Sequence, residues 1–144
     1  MTRLDADLVR RKLAAITRKL DQLKAVEGLT LDEYRADPFR VKGTEKLLQE
    51  AVEAAVDANV HILRALGMPA PGDYYESFVS VGRHGVIPSE LATRLAPSAG
   101  LRNRLVHEYD EINDAIVLRA VSEARRSFAE FAAAVEKFLA GKGV

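Results

Sequence analysis

Apolar positions recur at helical spacing through most of the chain. Val9, Leu13, Ile16, Leu20 and Leu23 advance by fours and threes, which aligns them on one stripe of a helix predicted from about Thr2 to Val26. Arg10, Arg11, Arg18, Lys19 and Lys24 fall mainly off that stripe. Gly28 is a natural C-cap, because glycine takes a left-handed backbone at little cost. In the short segment from Leu29 to Arg40, Thr30 can cap a turn beginning at Leu31, and Pro38 starts or kinks the next helix. From Val41 to Leu66 the pattern is again helical, with Leu48, Val52, Ala55, Asn59, Ile62 and Leu66 on one side. Gly43 weakens its first turn, and Gly67 followed by Pro69 ends it.

Met68 to Gly72 reads as a loop, and Asp73 to Val81 as a third helix with Tyr74, Tyr75, Phe78 and Val79 supplying bulk. A connection containing two glycines and a proline follows, with Ser89 as a candidate cap. A fourth helical region covers Glu90 to about Tyr109. Pro97-Ser98 divides it, and Ser98 is a candidate cap for the second half, which carries Leu101 and Leu105. Asp110 to Asn113 is polar and turn-like, and Asn113 or Asp114 can cap the last helix. That helix runs to about Leu139 on a stripe of Ile116, Val117, Val121, Ala124, Phe128, Phe131, Val135 and Phe138. No repeat or linker interrupts residues 1–144. One all-α domain, an antiparallel bundle of about five helices, is the economical fold.

Composition narrows the function classes. Lys plus Arg and Asp plus Glu both number 21, so the net charge is zero and a generic polyanion binder is disfavoured. A local basic patch remains compatible with that balance. The absence of cysteine excludes a disulfide scaffold, a thiolate metal site and a Cys nucleophile, and it fits a reducing cytosol. No apolar run approaches the roughly 18 to 20 residues of a membrane span, and charges enter every turn of the N-terminal segment, unlike a signal peptide. The expectation is a cytoplasmic protein with no membrane association.

Candidate chemistry centres on three histidines. His61 lies beside the apolar stripe of its helix, where a structural hydrogen bond is the expected role. His84 sits in a glycine-flanked connection and reads as a solvated loop residue. Neither has a partner at metal-ligand spacing, so no metal site is expected. His107 has different neighbours. Arg102, Asn103, His107 and Tyr109 form R-N-x-x-x-H-x-Y, with Asn103 and His107 on adjacent turns of one helix face. Arg102 and Tyr109, seven apart, share a neighbouring line. Imidazole moves protons near neutral pH, and guanidinium holds phosphate oxygens through paired hydrogen bonds. Together they suit metal-free cleavage of RNA, in which the 2′-OH attacks phosphorus. A solvated helix face accounts for the same residues without chemistry.

The segment Arg102 to Tyr109 resembles the R-x4-6-H signature of HEPN domains, in the R-x4-H-x-Y form typical of HepT toxins. Thr44 to Gly67 is similar to that family's second long helix, and the stretch containing Tyr74, Tyr75 and Gly85, together with the closing amphipathic helix, follows the same plan. The resemblance covers nearly the whole chain. It implies a HEPN-like bundle and a metal-independent endoribonuclease toxin, without cofactor, of a type VII-like HEPN/MNT toxin–antitoxin system. It implies Arg102 and His107 as the catalytic pair, Asn103 as catalytic support and Tyr109 as the residue to which a MntA-type nucleotidyltransferase antitoxin transfers AMP. It also implies a homodimer whose shared cleft binds RNA. Arg104 is a possible RNA contact, although a salt bridge to Glu108 four residues on is an equal alternative. A second reading is a non-catalytic nucleotide- or partner-binding subunit of a nucleotidyltransferase complex. A third is a plain dimeric adaptor in which only the apolar stripes matter.

Overall fold

The computed structural model describes residues 3–107 and 112–143. Within them the chain forms α1 (Ala6–Leu23), α2 (Leu31–Arg35), α3 (Pro38–Ala65), α4 (Tyr74–Arg83), α5 (Ser89–Leu95), α6 (Ser98–His107) and α7 (Asp114–Gly141), with no strand among the described residues. α1, α3, α4, α6 and α7 have ten or more residues each, and α2 and α5 are short. The expected bundle is therefore present, with two short extra helices in its connections.

Cross-helix pairs fix the directions of the long helices. The start of α1 meets the end of α3 where the Asp5 N–H donates to His61 Nε2 at 2.9 Å. Lys12–Asp57 at 3.1 Å and Lys19–Glu50 at 3.7 Å then descend α3 as α1 ascends. Arg10–Glu136 at 2.9 Å and the Arg125 Nε donation to the Leu20 carbonyl at 3.1 Å give the same descending order along α7. Both α3 and α7 are thus antiparallel to α1. The α1 stripe of Val9, Leu13, Ile16, Leu20 and Leu23 is buried throughout, as its spacing predicts. Phe78 of α4 meets Phe128 and Phe131 of α7 edge to face, with ring centroids 6.3 and 6.2 Å apart.

Caps explain most boundaries. Asp5 caps α1 by accepting from the Leu8 N–H, so that helix starts later than the predicted Thr2. Thr30 and Glu33 form a reciprocal capping box on α2, and the Thr30 N–H bond holds the Glu33 carboxyl below the ordinary carboxylate range. Asp37 caps α3 with Pro38 as its first residue, so Pro38 starts the helix rather than kinking it. Gly67 at φ +75° closes α3, where the Met68 N–H reaches back to the Leu63 carbonyl at 2.9 Å. Asn113 caps α7 through the Ala115 and Ile116 N–H groups.

Two expected caps are corrected. Ser89 is already inside α5, whose N-cap is Pro88 with no side-chain bond. Ser98 donates its hydroxyl backwards to the Leu95 carbonyl at 2.6 Å, so it ties α6 to the end of α5 instead of accepting from α6. Bulk is also distributed differently from the expectation. Ile116 is exposed at the edge of the α7 stripe, and Leu139 rather than Phe138 closes it. In α4 only Phe78 of the four bulky residues is fully buried; Tyr74 and Val79 are half-buried and Tyr75 is exposed.

Candidate functional site

α6 carries the polar strip. Pro97 lacks an N–H and turns the chain out of α5, and α6 then lies across the middle of α3 and the beginning of α4. Of its residues only Ala99 is buried; Leu101, Leu105 and Val106 are half-buried. Asn103, Arg104 and His107 are exposed, with His107 the last described residue of α6.

Arg102, unlike these three, is half-buried. Its Nε and Nη2 donate to Glu53 Oε2 of α3 at 3.0 and 2.7 Å, and its Nη1 donates to Asn103 Oδ1 at 3.4 Å. The guanidinium carbon lies 4.6 Å from the centroid of the Tyr74 ring, a cation–π stack. Gln49, one turn before Glu53, also donates to Glu53 Oε2 at 3.3 Å. The Arg102 and Glu53 side chains are only 18% and 29% exposed. Asp73 caps α4 by accepting from the Glu76 N–H at 2.8 Å, which sets Tyr74 as the first helical residue. Ser77 donates to the Tyr74 carbonyl at 2.8 Å and accepts from the buried Asn59 amide at 3.3 Å, locking the start of α4 onto α3.

Among the expected site residues, Arg102 and Asn103 are therefore in contact, and His107 sits on the same helix with its ring open to solvent. Tyr109 and Glu108, and with them the expected Arg104–Glu108 pair, lie outside the described residues. Arg104 instead lines a mainly apolar groove on the other side of α6, formed with Leu48, Val52, Leu101, Ile116, Ala120 and Phe128. His61 has the structural role expected of it, accepting the Asp5 N–H. His84 is exposed but is the C-cap of α4 rather than a free loop residue, with Nδ1 2.9 Å from the Ser80 carbonyl. The sequence pattern marks Tyr74 only as helix bulk and does not mark Glu53. Among the described residues no group of three or more His, Cys, Asp or Glu is gathered as for a metal ion, and no helix is long and apolar enough to cross a membrane.

A helical bundle with this Arg-x4-His strip is a HEPN-type domain. The chain belongs to the HepT-like family: the family model described as "Ribonuclease HepT-like" matches residues 16–135. It is 37% identical over 139 residues to the tRNA nuclease HepT of Aphanizomenon flos-aquae, covering 96% of this chain and 95% of that protein. It is 30% identical over 126 residues to the mRNA nuclease HepT of Shewanella oneidensis, covering 87% and 93%. Its fold superposes with a TM-score of 0.82 on the tri-AMPylated HEPN toxin of Shewanella oneidensis in complex with its MNT antitoxin, at 27% identity over 91% of this chain and 98% of that one.

Proposed function

We propose that this chain is a metal-independent endoribonuclease toxin of a type VII-like HEPN/MNT module, acting in the cytoplasm as a homodimer. The observation that carries the reading is the pairing on α6 of a held guanidinium, Arg102, with an open imidazole, His107, in a chain so similar to a tRNA nuclease. His107 takes the proton of a ribose 2′-OH, or gives one to the leaving 5′ oxygen, and water carries the other of these two proton transfers. The 2′ oxygen bonds to phosphorus as the bond to the 5′ oxygen breaks, leaving a 2′,3′-cyclic phosphate and a 5′-OH. Arg102 stabilises the charge that builds on the phosphorane oxygens, and Asn103 supports it through the Nη1 contact.

Two features support a shared cleft. Arg102 and His107 are five residues apart, hence about 7.5 Å along α6 and roughly 140° around it, a divergence that a second copy of the pair would complement. The half-buried Leu101, Leu105 and Val106, with the exposed Ile116, give α6 and the start of α7 an apolar margin that a second subunit would cover. Two copies of Arg104 and His107, with the Arg102 charge that Glu53 leaves unbalanced, would then make a local positive groove on a neutral chain. The antitoxin is a MntA-like nucleotidyltransferase that places AMP on Tyr109, adding a negative phosphate beside His107 and obstructing the cleft.

Expression in a bacterial host tests this directly. The wild type is expected to arrest growth and a folded His107→Ala variant to permit it. Co-expression with a MntA-type antitoxin should restore growth and add AMP to Tyr109, and Tyr109→Phe should carry none at that position. AMP on another tyrosine of the wild type would overturn the regulatory assignment. One observation favours a non-catalytic partner-binding subunit instead: Glu53 already neutralises Arg102. That reading expects antitoxin binding with growth indifferent to His107.

A further inference from the structure

Arg102 is gripped on an edge and on a face. Glu53 takes the edge formed by Nε and Nη2, and the Tyr74 ring takes the plane. We propose that Glu53 and Tyr74 are positioning residues that hold the Arg102 guanidinium in its phosphate-binding orientation. The proposal rests on the ribonuclease reading above and adds to it two residues from α3 and α4 that lie far from the motif in sequence.

The donor inventory supports it. A guanidinium has five N–H groups. One on Nε and one on Nη2 go to Glu53, and one on Nη1 goes to Asn103, which leaves one on each terminal nitrogen. Each of those two can donate to a phosphate oxygen. A free arginine carries considerable rotamer entropy, which would have to be lost on reaching the transition state. Here the cradle has removed it beforehand. The cradle is itself anchored: Gln49 donates to the same Glu53 oxygen, and the Asp73 cap with the Asn59–Ser77 pair fixes Tyr74.

The arrangement predicts a particular kinetic signature. Glu53 offsets part of the positive charge that attracts RNA, so its removal should not weaken ground-state binding. It should cost orientation, which is felt in the transition state.

The test is cleavage of one defined oligoribonucleotide in EDTA by wild type, Glu53→Ala, Glu53→Gln, Tyr74→Leu and Tyr74→Phe. Circular dichroism and thermal melts accompany each protein to establish folding. Glu53→Ala is expected to lower kcat by roughly 100-fold, the scale of a misplaced catalytic group, with KM unchanged or lower. Glu53→Gln should lose less, because an oxygen acceptor remains. Tyr74→Leu should slow cleavage by about tenfold, and Tyr74→Phe, which keeps the ring face, should restore most of the rate. A folded Glu53→Ala protein with wild-type kcat, or with only a raised KM, overturns the proposal.

A second readout does not depend on activity. The Arg102 Nε–H resonance, assigned by its disappearance in Arg102→Lys, should be slow-exchanging in the wild type and lost in Glu53→Ala. Should the wild type cleave nothing, the ribonuclease reading fails by itself, and an unchanged resonance in Glu53→Ala would overturn the cradle separately.

Discussion

Tyr34 illustrates how one residue ties stability to pH. Its side chain is fully buried, and burial pushes its hydroxyl up to about 12 from the ordinary 10. The folded protein thus holds this proton more tightly than the unfolded chain does. The stability it contributes is complete below pH 10 and is lost as pH rises through 12. The melting temperature of the wild type should fall across that window, and that of Tyr34→Phe should fall less; equal declines would contradict the assignment. At the site, legibility followed sequence distance. Arg102, Asn103 and His107 announce themselves because one helix displays them at fixed spacing. Glu53 and Tyr74 do not, because they come from other helices and meet Arg102 only when α6 packs on α3 and α4. Neither residue type is unusual in a helix, so no local signal marks them.

Among the elements, close packing gives a sharper test than helix propensity. Gly82 in α4 is buried, and a Cβ added there would clash with the Ala92 Cβ of α5 and approach the Ser89 Cα to 3.6 Å. Gly43 in α3 has nothing within 4 Å of its added Cβ. Gly82→Ala should therefore cost about 1–3 kcal/mol through overpacking, whereas Gly43→Ala should gain about 0.5–1 kcal/mol from helix propensity. Denaturant unfolding of both variants checks this; equal effects would contradict the α4–α5 packing. The same contrast explains which elements were legible. The α1 stripe, the α3 stripe up to Ile62 and the Thr30 and Asn113 caps depend on neighbours within a few residues, and they match the structure; Leu66 is instead the half-buried C-cap of α3. Ser89 and Ser98 have cap-compatible chemistry, but Pro88 already provides the N-cap position and the Leu95 carbonyl captures the Ser98 hydroxyl. Ile116 has a helical register that points inward by periodicity, yet α6 and α7 leave it at the edge of a groove.

At the scale of the whole molecule, a chain of zero net charge acts by arranging its charges rather than by accumulating them. Many are spent between elements: Arg10–Glu136, Arg94–Glu130 and Arg125 with Glu27 of the turn after α1 fasten α7 to its neighbours, and Lys12–Asp57 and Lys19–Glu50 fasten α1 to α3. Among the described residues α6 contributes no such pair except Arg102–Glu53, and its Arg104 and His107 are exposed. The bundle is thus a neutral frame presenting one short polar helix. The central claim is that this helix cleaves RNA without metal. The most direct measurement is cleavage of cellular RNA in EDTA by purified protein without AMP on Tyr109, beside folded His107→Ala and Arg102→Ala controls. Cleavage should yield 2′,3′-cyclic phosphate ends by mass spectrometry and fall by about 100-fold or more in each control. Equal cleavage by wild type and His107→Ala, or none by unmodified wild type, would contradict it.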